Sequence, residues 1–288
     1  MALNLAVTSD GPTRRRLYQH LPSYGIAVHH LPVGQQVYQL GSAEIDMDLD
    51  VGFVFPKRVA EGDVITTELD IPWVNDREDI LTTRNKAGVL AQLDAVGIPT
   101  PRSYLVSSPA DPEVVRSVFD RLGDTVVIKP NSTTRGIGHV RVDDIDSFRG
   151  VIDYLELIHD FPATGDRSFL IQEYIPDARD VRLTLIDGSV AGAVERRLDG
   201  ESGGWVKNVH RGAKPVPVTP TERLTDLAER VGAALEVAFL GVDVLIGPEG
   251  PQVIEVNGRP TIDRVEQYPS DFYGRLAGLI ERTAKQRT

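Results

Sequence analysis

The segment FLGVDVLIGPEGPQVIEVNGRP, residues 239–260, leaves less freedom than any other part of this chain. Two apolar runs flank the turn sequence GPEG, which predicts an antiparallel hairpin. With the hairpin centred on Glu249, Asp243 falls opposite Glu255, and Gly241 opposite Asn257. Side chains alternate along a strand, so Asp243, Glu255 and Asn257 share one face. Carboxylates facing each other among Val and Ile repel and weaken the sheet unless something neutralises them. All three residues carry oxygen donors, and Gly241 leaves a ligand room to approach. The expected neutraliser is a hard cation, magnesium or manganese, completed by phosphate oxygens and water. The plainer alternative, a polar face turned to solvent, would normally also carry Lys or Arg.

Around this hairpin the chain has the length for two or three subdomains. LNLAVTS at 3–9, a helix-compatible TRRRLYQHL, IAVHHL at 26–31 and DVGFVFP at 50–56 predict a small α/β unit of about 80 residues, without GxGxxG or a Walker loop. IPWVN reads as a short strand opening a second unit. In the helix TTRNKAGVLAQLDAVG that follows, Val89, Leu90, Leu93 and Val96 recur at helical spacing and Gly97 is the stop. PEVVRSVFDRLG predicts a helix, TVVIKP at 125–130 a strand, NSTTRGIG a loop, HVRV a strand and DDIDSFRGVIDYLELI a helix. A third unit begins at FLIQEYI (169–175), adds strands at VRLTLI and SVAGAVERR, then a helix capped by Thr219 with Pro220 and Glu222. Its buried stripe is Leu224, Leu227, Ala228, Val231 and Leu235. The expected units are 1–80, 81–168 and 169–288.

Composition narrows the chemistry. Cysteine is absent, which excludes thiol nucleophiles, iron–sulfur clusters and cysteine-ligated zinc. Adjacent His29 and His30 point to opposite strand faces and cannot share a metal. No signal peptide core or run of eighteen apolar residues occurs, so a cytoplasmic protein without a membrane segment is expected. Net charge is −11, with 42 acidic residues against 25 Arg and 6 Lys, a surface that repels bare nucleic acid. Scarce lysine among many carboxylates also suits a halophilic host, as it suits an ordinary acidic enzyme.

Lys129 ends an apolar strand just before a Ser/Thr/Gly loop, where burial is costly unless phosphate oxygens arrive beside it. Gly136 and Gly138 in that loop let backbone N–H groups approach an anion. Lys86 sits near the start of its helix. Glu173, in QEYI at 172–175, ends a strand where exposed backbone groups and an apolar neighbour could bind a purine edge, or which could simply terminate before a Pro turn. Asp180 and Arg182 share a strand face. GGWVKNVHRGA gathers Lys207, Asn208, His210 and Arg211, and Arg197, Lys207 and Arg211 make a positive set suited to an oxyanion.

The chain resembles the RimK-type branch of the ATP-grasp superfamily. The resemblance is densest from Pro72 to Pro260, in PWVNDREDILTTRNKAGVLAQLDAVGIPTPRS, VVIKPN with RGIG, IQEYI, RDVR, ERR, NVHRGA, and GVD with IEVNGRP. It implies an α/β (α+β) ATP-grasp fold with an N-terminal Rossmann-like domain. It also implies an ATP-dependent carboxylate–amine ligase working through an acyl phosphate. Lys86 and Lys129 would then meet ATP phosphates, Gly136 and Gly138 would cover them, and Glu173, Tyr174, Ile175 and Asp180 would contact the nucleoside. Asn208 and Arg211 would hold phosphate or acyl phosphate, and Asp243, Glu255 and Asn257 would bind magnesium. Lys129, Arg197 and Arg211 are the expected catalytic cations. The implied partners are ATP, an amino acid with glutamate favoured, and a carboxylate acceptor on a protein, peptide or coenzyme; a homo-oligomer is compatible with this. Asn85 replaces the family's Asp, and Gly258–Thr261 replaces its small-residue SPG segment, next to where the acceptor would sit. The alternatives are a D-alanine ligase-like enzyme and a nucleotide sensor without turnover.

Overall fold

The structure, a computed structural model, describes residues 2–40, 47–133, 138–159, 168–198 and 213–286. Its first sheet, in the order β2-β1-β3-β4, is wholly parallel and comprises β1 (Leu3–Val7), β2 (Ile26–His30), β3 (Val51–Phe53) and β4 (Trp73–Val74). Parallel neighbours need crossovers, here including α1 (Pro12–His20) and α2 (Val59–Leu69). The sequence reading did not mark α2, because its inward positions are few: Gly62 and Ile65. Gly62 is one of them because a Cβ there would lie 2.6 Å from the Phe55 ring. The strand in IPWVN closes this first sheet as β4.

The segment read as one helix is two, α3 (Arg77–Arg84) and α4 (Lys86–Ala95), broken at Asn85, which caps α4 by accepting from Gly88 N at 3.0 Å. Val89, Leu90 and Leu93 are buried, whereas Val96, beyond the last turn, is 55% exposed. The second sheet is antiparallel, in the order β5-β8-β6-β7, from β5 (Ser103–Ser107), β6 (Val126–Pro130), β7 (Val140–Val142) and β8 (Ser168–Glu173). Helices α5 (Pro112–Leu122) and α6 (Ile145–His159) cover it. The strand expected to open the third unit, β8, lies between β5 and β6 of this central sheet, with Ile171 opposite both Tyr104 and Ile128. Its apolar residues Phe169 and Ile171 fill the same core as Val126 and Phe148.

The third sheet, β11-β10-β9-β12-β13, consists of β9 (Arg179–Ile186), β10 (Ser189–Arg197), β11 (Lys214–Pro217), β12 (Phe239–Gly247) and β13 (Gly250–Asn257). One face packs against α4 and α7 (Glu222–Leu235), which buries the whole expected stripe from Leu224 to Leu235. The cap of α7 is Thr221, whose hydroxyl accepts from Leu224 N, two residues beyond the expected Thr219. Helix α8 (Phe272–Ala284) joins the first sheet's core, with Phe272, Leu276 and Ile280 fully buried beside Leu5 and Val51.

Asn75, buried and with φ +55°, fastens that sheet to the hairpin. Its amide donates to the Phe239 and Gly258 carbonyls, and its oxygen accepts from Phe239 N. Among the described residues no helix is long and apolar enough to cross a membrane.

Candidate active site

The hairpin register is the one the sequence predicts, reached by a different route. Gly247 pairs with Gly250 across a two-residue turn, and a bulge after Val253 restores Asp243 opposite Glu255 and Gly241 opposite Asn257. The strand on the other side of β12 then sets the electrostatics. Arg182 of β9 lies directly across from Asp243 and donates to both of its oxygens at 2.6 Å. Arg196 of β10 approaches Asp243 at 3.2 Å and donates to Asp180 at 2.9 and 2.6 Å. Glu255, Asp243 and Arg182 thus form a row across three strands, flanked by Asp180 and Arg196.

Asp243 is fully buried, which by itself would raise its pKa, but Arg182 and Arg196 outweigh that and hold it well below the usual carboxylate value. Asp180 goes the other way: burial, helped by the charge of Asp243, pushes it up to about 6 against the pull of Arg196. The repulsion that the hairpin alone assigns to a cation is therefore largely offset at Asp243 by arginine.

Whether the oxygens still suit a cation depends on what is left of them. Glu255 and Asn257 are half-buried, and the Asn257 amide nitrogen lies 3.4 Å from both Glu255 Oε1 and Asp243 Oδ2. A half-turn of that amide brings its oxygen to the same point. Two carboxylates and one amide oxygen, each with lone pairs to spare, fit a hard divalent ion that also takes phosphate and water oxygens. Among the described residues no three His, Cys, Asp or Glu side chains form a metal-holding group by themselves, so a site here needs the Asn257 oxygen beside the two carboxylates.

Lys129, at the end of β6, is 3% exposed and donates to Gln172 Oε1 at 2.8 Å. Burial drives its pKa down to about 8, with Lys86 adding to the fall and Glu255 and Asp243 opposing it. The charges of the second lysine and of the acidic pair are thus all felt at the Lys129 ammonium. Lys86 is held at the first turn of α4, its ammonium donating to the Thr133 carbonyl. Asn85 and Asn131 lock this corner: Asn131 donates to Asn85 at 3.0 Å and accepts from Ala87 N at 2.9 Å. Because Asn85 Oδ1 only accepts, an Asp there would serve as well.

The remaining expected residues divide. Glu173 accepts from Arg102 N and Nε at 2.8 and 2.7 Å, and the Tyr174 ring lies 5.4 Å from the Arg141 guanidinium carbon. Ile175 packs on Gly247, where a Cβ would meet it at 2.4 Å. Gly138 has φ +78°. Gly136, Lys207, Asn208, His210 and Arg211 lie outside the described residues. Arg197 is 58% exposed and pairs with Glu195 at 2.8 Å, whose pKa falls to about 2 through its bonds to Arg179 and Arg197. Alternation puts Arg197 across the sheet from the acidic row and turns its neighbour Arg196 toward it. Sequence reasoning missed Arg196, and also Gln172, whose polarity at an inward position of an apolar strand was the available signal.

The RimK-like ATP-grasp domain model matches residues 83–273. A probable alpha-L-glutamate ligase from Citrobacter koseri is 32% identical over 217 residues, 73% of this chain and 68% of that protein. A ribosomal protein bS6–L-glutamate ligase from Escherichia fergusonii is 30% identical over 215 residues, 73% of this chain and 68% of its own. In fold the chain is similar to D-alanine–D-alanine ligase from Bacillus anthracis solved with ATP, at TM-score 0.74 and 18% identity, covering 100% of this chain and 98% of that one. With an ordered run of motifs, three sheets of that architecture and a lysine-and-carboxylate site between two of them, the chain belongs to the RimK-like ATP-grasp family and is an ATP-dependent ligase that forms carbon–nitrogen bonds.

Proposed function

We propose that this ligase joins an amino acid, glutamate first, to a carboxylate of a protein or peptide, with magnesium held by Asp243, Glu255 and Asn257. The observation that carries the proposal is that Lys129 and Lys86 are both buried, joined through Asn131, which bonds to Asn85 and Ala87, in a chain whose hairpin sets Asp243 opposite Glu255. Two buried lysines beside paired carboxylates suit a polyanion bridged by a cation. The names of the two relatives support glutamate as the amino acid and a protein as acceptor.

In this reading Lys86, Lys129 and the Gly136–Gly138 loop meet the ATP phosphates. Glu173, Tyr174 and Ile175 line the nucleoside side, with Asp180 behind them. Bound magnesium would offset phosphate charge and polarise the transferring phosphoryl group. An acceptor carboxylate oxygen bonds to the γ-phosphorus as the bond to ADP breaks. The amine nitrogen then bonds to the acyl carbon as phosphate leaves, and the amine gives up a proton. Lys129 and Arg211 stabilise the oxyanions, with Asn208 beside them. Behind them, Arg182 and Arg196 position Asp243 and Asp180. Losing Lys129 or Arg211 costs roughly 3 kcal/mol of transition-state stabilisation, about a hundredfold in rate.

The test is ADP release with an amino-acid panel and acceptor peptides, followed by product mass. An added glutamate is the expected product, and ADP release without any amide would overturn the ligation assigned here. Glu255→Gln should abolish magnesium-dependent ADP formation, and near-normal turnover would remove the metal assignment.

A further inference from the structure

In a chain with 42 acidic residues, buried arginines find carboxylates readily, as Arg182 and Arg196 do. Four half-buried arginines, Arg16, Arg84, Arg259 and Arg275, instead donate to backbone carbonyls, and of these Arg84 and Arg259 do so on one and the same stretch of chain. Arg259, two residues beyond Asn257, extends away from the metal-type strand, and its Nη1 donates to the Val54 and Phe55 carbonyls. Arg84, the last residue of α3, donates through Nη2 to the Lys57 carbonyl at 2.7 Å. Both guanidinium groups therefore dock on one stretch, residues 54–57, just past the end of β3. Both are half-buried, and the carbonyls they hold are at most three residues apart along the chain. Among the described residues neither has a carboxylate within ion-pair distance. The nearby acid of α3, Asp79, accepts instead from Asp76 N.

Two like charges taken partly out of water are costly unless an anion completes them. One nitrogen of each guanidinium is committed to backbone carbonyls, Nη1 of Arg259 to two and Nη2 of Arg84 to one, which fixes its plane and leaves other N–H groups for a planar two-oxygen partner. The position suits a substrate. Arg84 immediately precedes Asn85 and Lys86, Arg259 follows Asn257, and the carbonyls between them lie at the carboxyl end of a parallel sheet, where ligands of open α/β sheets gather.

We infer that Arg84 and Arg259 form a carboxylate subsite that holds a substrate by a carboxylate other than the one activated. That carboxylate belongs to the free amino acid or to the C-terminus of a peptide acceptor. Its place in catalysis rests on the ligase reading above; the binding itself does not.

The test is titration calorimetry on the whole chain with four probes: L-glutamate, its α-amide, and an acetylated dipeptide with free or amidated C-terminus. ADP binding is measured in parallel. For one free-carboxylate probe, amidation of the ligand, Arg84→Gln and Arg259→Gln should each weaken binding about tenfold or more, with Arg259→Lys intermediate and ADP affinity unchanged. Loss confined to glutamate assigns the subsite to the amino acid, and loss confined to the dipeptide assigns it to the acceptor. Equal binding of free and amidated probes, or wild-type affinity in both glutamine variants, overturns the inference. Arg84→Gln carries the test if losing the Arg259 anchors unfolds the chain. A wild-type chain that binds the carboxylate but forms no amide overturns the ligase reading and leaves the subsite standing.

Discussion

Replacing Lys129 with Met should make the nucleotide-free protein more stable and the enzyme inactive. The ammonium is 3% exposed and its pKa falls from 10.5 to about 8, so keeping it charged in the folded chain costs about 3 kcal/mol at neutral pH. Met fills a similar volume without charge. It leaves Gln172 Oε1 without its 2.8 Å donor, which returns about 1 kcal/mol. A net gain of about 2 kcal/mol corresponds to a rise of several degrees in Tm. The pH dependence separates this from generic stabilisation. The folded pKa lies below the unfolded one, so between about pH 8 and 10.5 the unfolded chain holds the extra proton and the wild type gains stability as pH rises. Below about pH 8 both states are charged and the full cost is present. The variant's advantage should therefore be largest at pH 7 and shrink toward pH 10. Urea unfolding of both proteins at pH 7, 8.5 and 10 measures it, and a parallel melt with ATP should stabilise the wild type far more than the variant. A variant less stable than wild type at pH 7, or an advantage that does not change with pH, would refute the reasoning, since Glu255 and Asp243 would then more than offset burial.

Two other substitutions probe the scaffold. Arg182→Leu strands a fully buried Asp243 opposite Glu255 with Arg196 its remaining cation, and should cost about 3–5 kcal/mol in urea unfolding at pH 7. In the wild type the depressed pKa of Asp243 gives stability that is present above about pH 4 and lost below it, so the variant's deficit should narrow on acidification; a deficit under about 1 kcal/mol at pH 7 would contradict the pairing. Gly258→Ala would set a Cβ 2.5 Å from Thr83 Oγ1, which is fixed by its 2.7 Å bond to the Asp79 carbonyl, and should cost about 1–3 kcal/mol. Adding Thr83→Ala should recover part of that loss in thermal melts, and an additive double mutant would show that the two do not collide.

Much of this protein could be read from neighbours in sequence. The 239–260 hairpin, its Asp243–Glu255 register and the stripe of α7 follow from alternation, turn chemistry and helical spacing, which act within a few residues. Lys129 stood out because lysine is scarce and it ends an apolar strand, whereas Lys86 read as an ordinary helical lysine until the family resemblance singled it out, and only the fold buries it. Pairing between distant segments decided the rest. No local pattern places β8 between β5 and β6, or β9 beside β12 so that Arg182 rather than a cation alone meets Asp243. Arg196 and Arg197 are equivalent in a string of letters, and only the strand's seating in the sheet turns one toward the acidic row and the other away. Arg259 stood in a segment expected beside the acceptor, but nothing in that segment says that its guanidinium reaches carbonyls some two hundred residues earlier in the chain. Side-chain identity and short-range geometry fixed which groups could do chemistry, whereas the partners that set their charge are brought by long-range strand order, which the local sequence does not encode.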